Sequence, residues 1–272
     1  MKKRLILTKQ FTSPTFLYEE LSRYTLHLEI NDTYFYCWAT ENKEHSPLWL
    51  ECYSLPTESK DDSILEGIKE VYKDHGLLNS IKWNRVSVRF NNQFFTQIPA
   101  SLFQKEYSTY YIQLAKGNLL SNEQEVKYDS ILTGKVITVY THETAIYNWL
   151  MEQYPFVVVS SEHQSSVLCE KTRQNTDSLT EANVYLYKDH FFVLIHQNEQ
   201  LLFCNRFLYQ TTEDIAFFLL YALNELAIVP TETTTRLWGE VDTKSPIVSL
   251  LSDYLPEIIL KDTRSDYSNL LH

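Results

Sequence analysis

The sequence predicts a mixed α/β protein built from two related lobes. Three observations carry that prediction. The order strand–strand–strand–helix–strand–helix–strand runs twice along the chain. A polar stretch without apolar periodicity, Gln174–Glu181, separates the two runs. And 272 residues with 44% hydrophobic side chains are enough to bury a core in each. The expected division is 1–181 and 182–272, each lobe holding a five-stranded mixed sheet, with an insertion at about 91–131 in the first. Side by side, two such lobes leave a cleft.

The first run opens with Tyr24–Asn31, Thr33–Glu41 and Leu48–Leu55, rich in aromatic and β-branched residues and joined by short polar turns. In the second of these, Tyr34, Tyr36 and Trp38 share one face and Phe35, Cys37 and Ala39 the other, so both faces are expected to be covered. Asp61-Asp62-Ser63 supplies caps for a helix with Ile64, Leu65, Ile68, Val71 and Tyr72 on its apolar face, and Gly76 ends it. Val86, Val88 and Phe90 alternate in a strand.

Within the insertion, Phe94–Ile98 reads as extended, and Pro99 with Ser101 opens a helix to about Gly117. Val126–Ile131 and the strand Lys135–Tyr140 follow, and Thr141 caps a helix carrying Ala145, Ile146, Trp149 and Leu150. Phe156–Val159 reads as a buried strand. Ser161-Glu162-His163-Gln164 matches a capping box and predicts a helix start.

The second run begins with Val184–Tyr187, Phe191–His196 and Leu201–Leu208, with Lys188 and Asp189 in the first hairpin turn. Thr211 or Thr212 caps an apolar helix through Ala227. A strand near Thr234–Gly239, a helix Pro246–Tyr254 and a strand Glu257–Lys261 complete it, before a loose tail from Asp262.

Composition narrows the function classes. With 24 basic and 35 acidic side chains the net charge is −11, which repels phosphate backbones and excludes nucleic acid as an expected partner. The basic start Met1-Lys2-Lys3-Arg4 precedes only Leu5-Ile6-Leu7, short of the roughly 7–15 apolar residues of an export signal. No run approaches the ~20 apolar residues of a membrane span. Cys37, Cys52, Cys169 and Cys204 form no C-x-x-C pair and suit reduced thiols, with a cross-strand Cys37–Cys52 bridge as the alternative. A cytoplasmic protein is the expectation. Only 5 glycines are present, far below the ~7% average, although phosphate-cradling loops depend on glycine. Nineteen tyrosines suit contact surfaces and packing instead.

The duplicated order resembles the actin-like ATPase superfamily, whose lobes each have a ribonuclease-H-like fold. The likeness extends from about Tyr24 to Leu260. Its first-lobe part is carried by Phe95-Thr96-Gln97-Ile98-Pro99 leading into Leu102-Phe103, by Val126-Lys127-Tyr128-Asp129, and by Val136–Tyr140 with the Thr141–Leu150 helix. These resemble the bacterial branch of cell-division and type IV pilus assembly proteins. A narrower resemblance is to an uncharacterised bacterial family with this fold and no assigned activity.

The superfamily places Asp-x-Gly at the first hairpin turn of each lobe, the acid near magnesium and the glycine admitting phosphate. Here the resemblance puts Glu29-Ile30-Asn31 at the first turn and Leu186-Tyr187-Lys188 at the second, the latter by setting Arg206 against the family's third-strand arginine. A Gly-Gly after the third strand falls near Gln210-Thr211, and the adenosine-site Gly-Gly is reduced to Trp238-Gly239-Glu240. A degenerate nucleotide site follows, at Glu29, Asn31, Asp32, Lys188 and Gly239.

Other chemistry finds little support. His142 and His163 each neighbour a glutamate without the spacing that sets two ligands on one helix face, and His190 and His196 stand too far apart for one ion. No metal or other cofactor is expected. Ser160, Ser161, Ser165, Ser166, His163 and Cys169 lack a nucleophile elbow. The expected role is a non-catalytic adaptor or scaffold that binds a protein or peptide; the alternative is an ATPase with a site rewired around Glu29, Asp32 and Gly239. Pilus-assembly relatives capture a short segment of a membrane partner on their first lobe. That resemblance points to Phe94, Phe95, Tyr107, Tyr110 and Tyr111 as partner anchors, with filling of the insertion's own core as the competing use.

Overall fold

The structure is a computed structural model that describes residues 5–41, 46–55, 64–173, 180–198, 200–239 and 241–261. The chain divides into two compact units, 1–130 with 137–164 and 131–136 with 165–272. The expected Asp61–Ser63 cap, most of the Gln174–Glu181 linker, and the tail lie outside the described residues.

In the first unit β1 (Ile6–Thr12), β2 (Tyr24–Ile30), β3 (Tyr34–Glu41) and β4 (Trp49–Ser54) precede α1 (Ile64–Tyr72) and β5 (Arg85–Phe90). The insertion supplies β6 (Phe95–Pro99), α2 (Ser108–Lys116), β7 (Gln124–Ile131) and β8 (Val136–Glu143), followed by α3 (Thr144–Gln153) and β9 (Val158–His163). The main sheet has the order β1-β4-β3-β2-β5-β9, and β6-β8-β7 form a separate three-stranded sheet. The inserted sheet therefore reaches beyond Ile131 and takes β8 as its central strand.

The second unit contains α4 (Gln164–Arg173, from Ser165), β10 (Thr180–Leu186), β11 (His190–Gln197), β12 (Gln200–Leu208), α5 (Thr212–Glu225), β13 (Thr234–Trp238), α6 (Pro246–Ser252) and β14 (Glu257–Lys261). Its sheet order, β12-β11-β10-β13-β14, repeats β4-β3-β2-β5-β9 strand for strand, antiparallel through the hairpins and parallel beyond them. The repeat is thus visible in hydrogen bonding as well as in element order.

The first sheet has six strands because β1, not expected from the sequence, joins its edge antiparallel to β4. A register shift between Leu7 and Lys9 marks a bulge, where the Thr8 hydroxyl donates to the Cys52 carbonyl at 3.0 Å. Bulges and polar residues of this kind suit an edge strand.

Three expected helix starts are displaced, each for a local reason. Thr141 and Ser161 lie inside β8 and β9, so neither caps a helix. The Thr141 N–H donates to the Phe94 carbonyl, while β9 pairs with β5 as far as Phe90↔His163, where the His163 N–H donates to Asp129 at 2.8 Å. The Ser161 capping box is therefore absent. Between Pro99 and α2 the backbone is engaged elsewhere: the Tyr111 hydroxyl donates to the Leu102 carbonyl and accepts from the Gln104 N–H.

Each main sheet buries an apolar face. In the first unit Leu26, Leu28, Phe35, Cys37, Val86 and Val88 lie beneath helical residues including Ile68 and Tyr72, whose ring meets Phe35 and Trp149. In the second, Ala182, Val184, Phe191, Val193, Ile195 and Leu237 pack against Ile215, Leu219 and Leu223 of α5 and Ile247 and Leu251 of α6. Full burial of each large side chain contributes about 1.5–3 kcal/mol, and two layers closed this way hold the hairpin tips in place. All four cysteines are free. Cys37 faces Glu51 and Cys52 faces Tyr36, so the two thiols point to opposite sides of the sheet and the alternative bridge is not made.

Candidate functional site

The β2–β3 hairpin tip is closed by its own side chains. Glu29 is completely buried, and its Oε1 accepts from the Tyr34 hydroxyl at 2.7 Å and from Asn91 Nδ2 at 3.0 Å. Asn91 stands just past β5 and ties that strand to the hairpin, its amide also lying 2.7 Å from the Tyr34 oxygen. Asn31 completes the network. Its Nδ2 donates to the Asn91 carbonyl at 2.6 Å, and its Oδ1 accepts from both the N–H and the hydroxyl of Thr33 at 3.0 Å. This is an Asx turn, in which the asparagine side chain takes up turn groups within the hairpin.

Asp32 is exposed at the same turn. Among the described residues no group of three or more His, Cys, Asp or Glu side chains is arranged to hold a metal. Glu143 feels the Asp32 charge; burial first, then Asp32 and Glu123, raises the Glu143 carboxyl above its ordinary range.

The β10–β11 hairpin closes on the equivalent backbone hydrogen bond. Asn31 N–H donates to the Tyr34 carbonyl, and Tyr187 N–H donates to the His190 carbonyl. Ile30↔Phe35 therefore matches Leu186↔Phe191. The residues equivalent to Glu29-Ile30-Asn31 are Tyr185-Leu186-Tyr187, one position earlier than the sequence alignment through Arg206 placed them. Lys188 is an exposed turn residue beyond that position. Tyr187 stacks on His190 at 4.4 Å, and the Tyr209 hydroxyl donates to the Tyr187 carbonyl at 2.6 Å.

Tyr185 is fully buried and stacks on Trp238 at 5.1 Å, while Trp238 Nε1 donates to Asn183 Oδ1 at 3.1 Å. Burial pushes the Tyr185 hydroxyl well above the usual phenol range. Gly239, at φ +123°, follows directly; a Cβ there would stand 2.5 Å from the Leu186 carbonyl oxygen. Its glycine is required by that close approach, with no ligand invoked. At the Gln210-Thr211 position the Asp214 carboxylate accepts both backbone N–H groups at 2.9 Å, and Thr211 Oγ1 accepts the Asp214 N–H. The start of α5 is thus supplied with an anion from its own first turn. Those two hydrogen bonds hold the Asp214 carboxyl below its ordinary range.

His190 Nδ1 lies 2.6 Å from Asp189, yet burial first, then Arg206, lowers the ring to about 4. The contact is therefore a hydrogen bond of a neutral imidazole at neutral pH, not an ion pair. A buried Glu181–Arg236 pair at 2.8 Å, not anticipated from the sequence, spans β10 and β13.

The anchors expected in the insertion separate into inner and outer groups. Phe95 is buried against His163 at 4.6 Å and offers no surface. Phe94 is half-buried beneath the Lys116 ammonium at 4.3 Å. Tyr111 packs on the Ile112, Ile137 and Val139 core of the insertion. Tyr107 and Tyr110 are exposed, with ring centres 6.1 Å apart, and Leu114 continues the stripe at 85% exposure. Tyr110 and Leu114 share one face of α2, and Tyr107, in the turn just before it, adjoins Tyr110. Leu102 and Leu119 are also exposed in the insertion.

The profile of a protein family of unknown function, DUF3822, matches residues 13–258. The chain belongs to that family. A Bacteroides thetaiotaomicron protein with an actin-like ATPase fold and unknown function is similar to this DUF3822 member over 95% of this chain and 99% of its own, with a TM-score of 0.78 and 20% identity. A chain of the PilM–PilN type IV pilus biogenesis complex matches with a TM-score of 0.53 and 12% identity, over 89% of each chain. No curated protein matches the sequence. The DUF3822 chain has the actin-like ATPase fold, a mixed α/β architecture. No helix among the described residues is long and apolar enough to cross a membrane.

Proposed function

We propose that this DUF3822 protein is a non-catalytic, cytoplasmic adaptor or scaffold: a pseudo-ATPase that retains the actin-like fold and docks a protein or peptide on its first lobe. The two ribonuclease-H-like lobes are taken as the structural repeats, the first carrying the insertion. The observation that supports this reading most is the first hairpin. The acid at the superfamily's catalytic position is consumed by Tyr34 and Asn91, and the glycine position holds Asn31 with its side chain folded into the turn. Phosphate binding at such tips relies on open backbone N–H groups and little side-chain bulk. The second hairpin offers the bulk of Tyr185 and Tyr187 instead.

Docking is supported by the exposed stripe along α2 and the turn that leads into it. Tyr107, Tyr110 and Leu114 present aromatic and aliphatic surface that monomeric proteins do not usually expose as a row. The net charge of −11 favours a partner segment with basic residues beside its apolar ones. A photo-crosslinking residue at position 110 should capture a discrete protein in the native host, and Leu114→Asp should abolish the adduct. An adduct unchanged by Leu114→Asp, or none at all, would remove this surface from the proposal.

A further inference from the structure

An open pocket of about 830 Å³ lies in the first unit, away from both hairpin tips in sequence and assigned no role above. It forms where the edge of the sheet meets the loop after α1. The pairing of β1 with β4 sets Gln10 opposite Glu51 and Thr12 opposite Trp49, so these four side chains share one face. His75, Leu77, Ser80 and Lys82 close the loop side, and Tyr18, 55% exposed, stands among the lining residues.

The polar centre of this pocket is Glu51. One of its oxygens accepts from the Tyr53 hydroxyl and from His75 Nε2, the latter at 2.9 Å. His75 Nδ1 accepts the Leu78 N–H at 3.1 Å, which leaves the ring proton on Nε2 and directs it at the carboxylate. Trp49 also hydrogen-bonds to Glu51. Only 16% of the Glu51 side chain is exposed, so the charge is preorganised and faces the opening. Burial acts to raise this carboxyl, but the hydrogen bonds from His75, Tyr53 and Trp49 outweigh it and hold it below the ordinary range. An ionised carboxylate next to indole and phenol rings is the chemistry that recognises an organic cation. The Lys82 ammonium is the one opposing charge among the lining residues, and it sits on an exposed, flexible stem.

We propose that this pocket binds an alkylammonium or guanidinium group, with Glu51 as the counter-ion, Tyr18 as the flanking ring and the buried Trp49 holding Glu51 from behind. The assignment is independent of the adaptor role. The group can arrive on a free amine or on a basic peptide side chain, and the test separates these sources. Calorimetry on the full chain uses agmatine and the blocked peptide acetyl-Gly-Arg-Gly-amide, with sodium phosphate as the anionic control. Saturable binding of agmatine or the peptide, but not of phosphate, is expected, and the tighter of the two identifies the source. Glu51→Gln should weaken binding about tenfold, a change of about 1.4 kcal/mol. Lys82→Ala, at an exposed position, should strengthen it by about two- to fivefold by removing a like charge. Tyr18→Ala, also exposed, should weaken it by about two- to fivefold. The Lys82 and Tyr18 variants keep the test decisive if Glu51→Gln does not fold. Phosphate binding that Lys82→Ala abolishes, or no cation binding at millimolar concentration, would overturn the proposal.

Discussion

Replacing Gly239 by alanine separates a glycine kept for a ligand from one kept for the fold. Two strains act together at that position. The φ of +123° is one that L-residues rarely adopt, and the new Cβ would approach the Leu186 carbonyl oxygen to 2.5 Å and Leu186 Cβ to 3.1 Å. Backbone confined to such a region costs about 1–3 kcal/mol. Displacing packed neighbours costs a further 1–3 kcal/mol or so. The neighbour here is backbone at the end of β10, which is held in the sheet by β11 and β13 and gives little. A total loss of about 2–6 kcal/mol is expected, a large part of the roughly 5–15 kcal/mol that holds a domain folded. Urea unfolding followed by tryptophan fluorescence, with no nucleotide present, reads it directly. At a slope of about 1–3 kcal/mol per molar urea the midpoint should fall by at least about 0.7 M. A loss below about 0.5 kcal/mol would refute the close-approach explanation and return Gly239 to the candidate ligand positions.

Three further outcomes follow from the buried polar groups and the outer stripe. Arg236→Ala leaves Glu181 buried without its partner and should cost about 3–5 kcal/mol in the same unfolding assay, much of it recovered in Glu181→Leu/Arg236→Met; a loss below 1 kcal/mol or so would show the pair to be solvated. His190 is held at about 4, against ~6.5 for the unfolded chain, so the unfolded state takes up the proton first as pH falls. Its contribution is complete above pH ~6.5 and lost toward pH 4, and the stability difference between wild type and His190→Phe should change by about 3 kcal/mol across that window; parallel curves would contradict it. Tyr110→Ala with Leu114→Ala, both at exposed positions, should change stability by less than about 0.5 kcal/mol while eliminating partner capture, whereas a large stability loss would place the stripe in a core.

Legibility in the sequence followed how local the cause of each element was. The Lys188-Asp189 turn and the Thr211 cap are legible because each depends on a few neighbouring residues. The β1 strand is not, because Ile6–Thr12 has no strong alternation and is fixed by pairing with β4, some forty residues away. Ser161 and Thr141 carry good helix-capping chemistry, yet strand pairing and the Asp129 carboxylate extend the strands past them. Glu29 and Asn31 were identifiable by position, but their closure by Asn91 depends on a contact sixty residues distant. The tip of the second hairpin lies one residue before the position that Arg206 on the third strand implies, because its register is set by Leu186↔Phe191. Exposure of Tyr110 and Leu114 together with burial of Phe95 depends on how the inserted sheet packs, which spacing alone does not determine.

The most direct measurement is calorimetric titration of the purified full chain with ATP in the presence of magnesium, in parallel with Asn31→Gly. With Glu29 enclosed by Tyr34 and Asn91, and Asn31 folded into the hairpin turn, no saturable heat is predicted at millimolar ATP for the natural protein. Micromolar binding by the natural chain, lost on Glu29→Ala, would contradict the pseudo-ATPase assignment and establish a working nucleotide site at that hairpin.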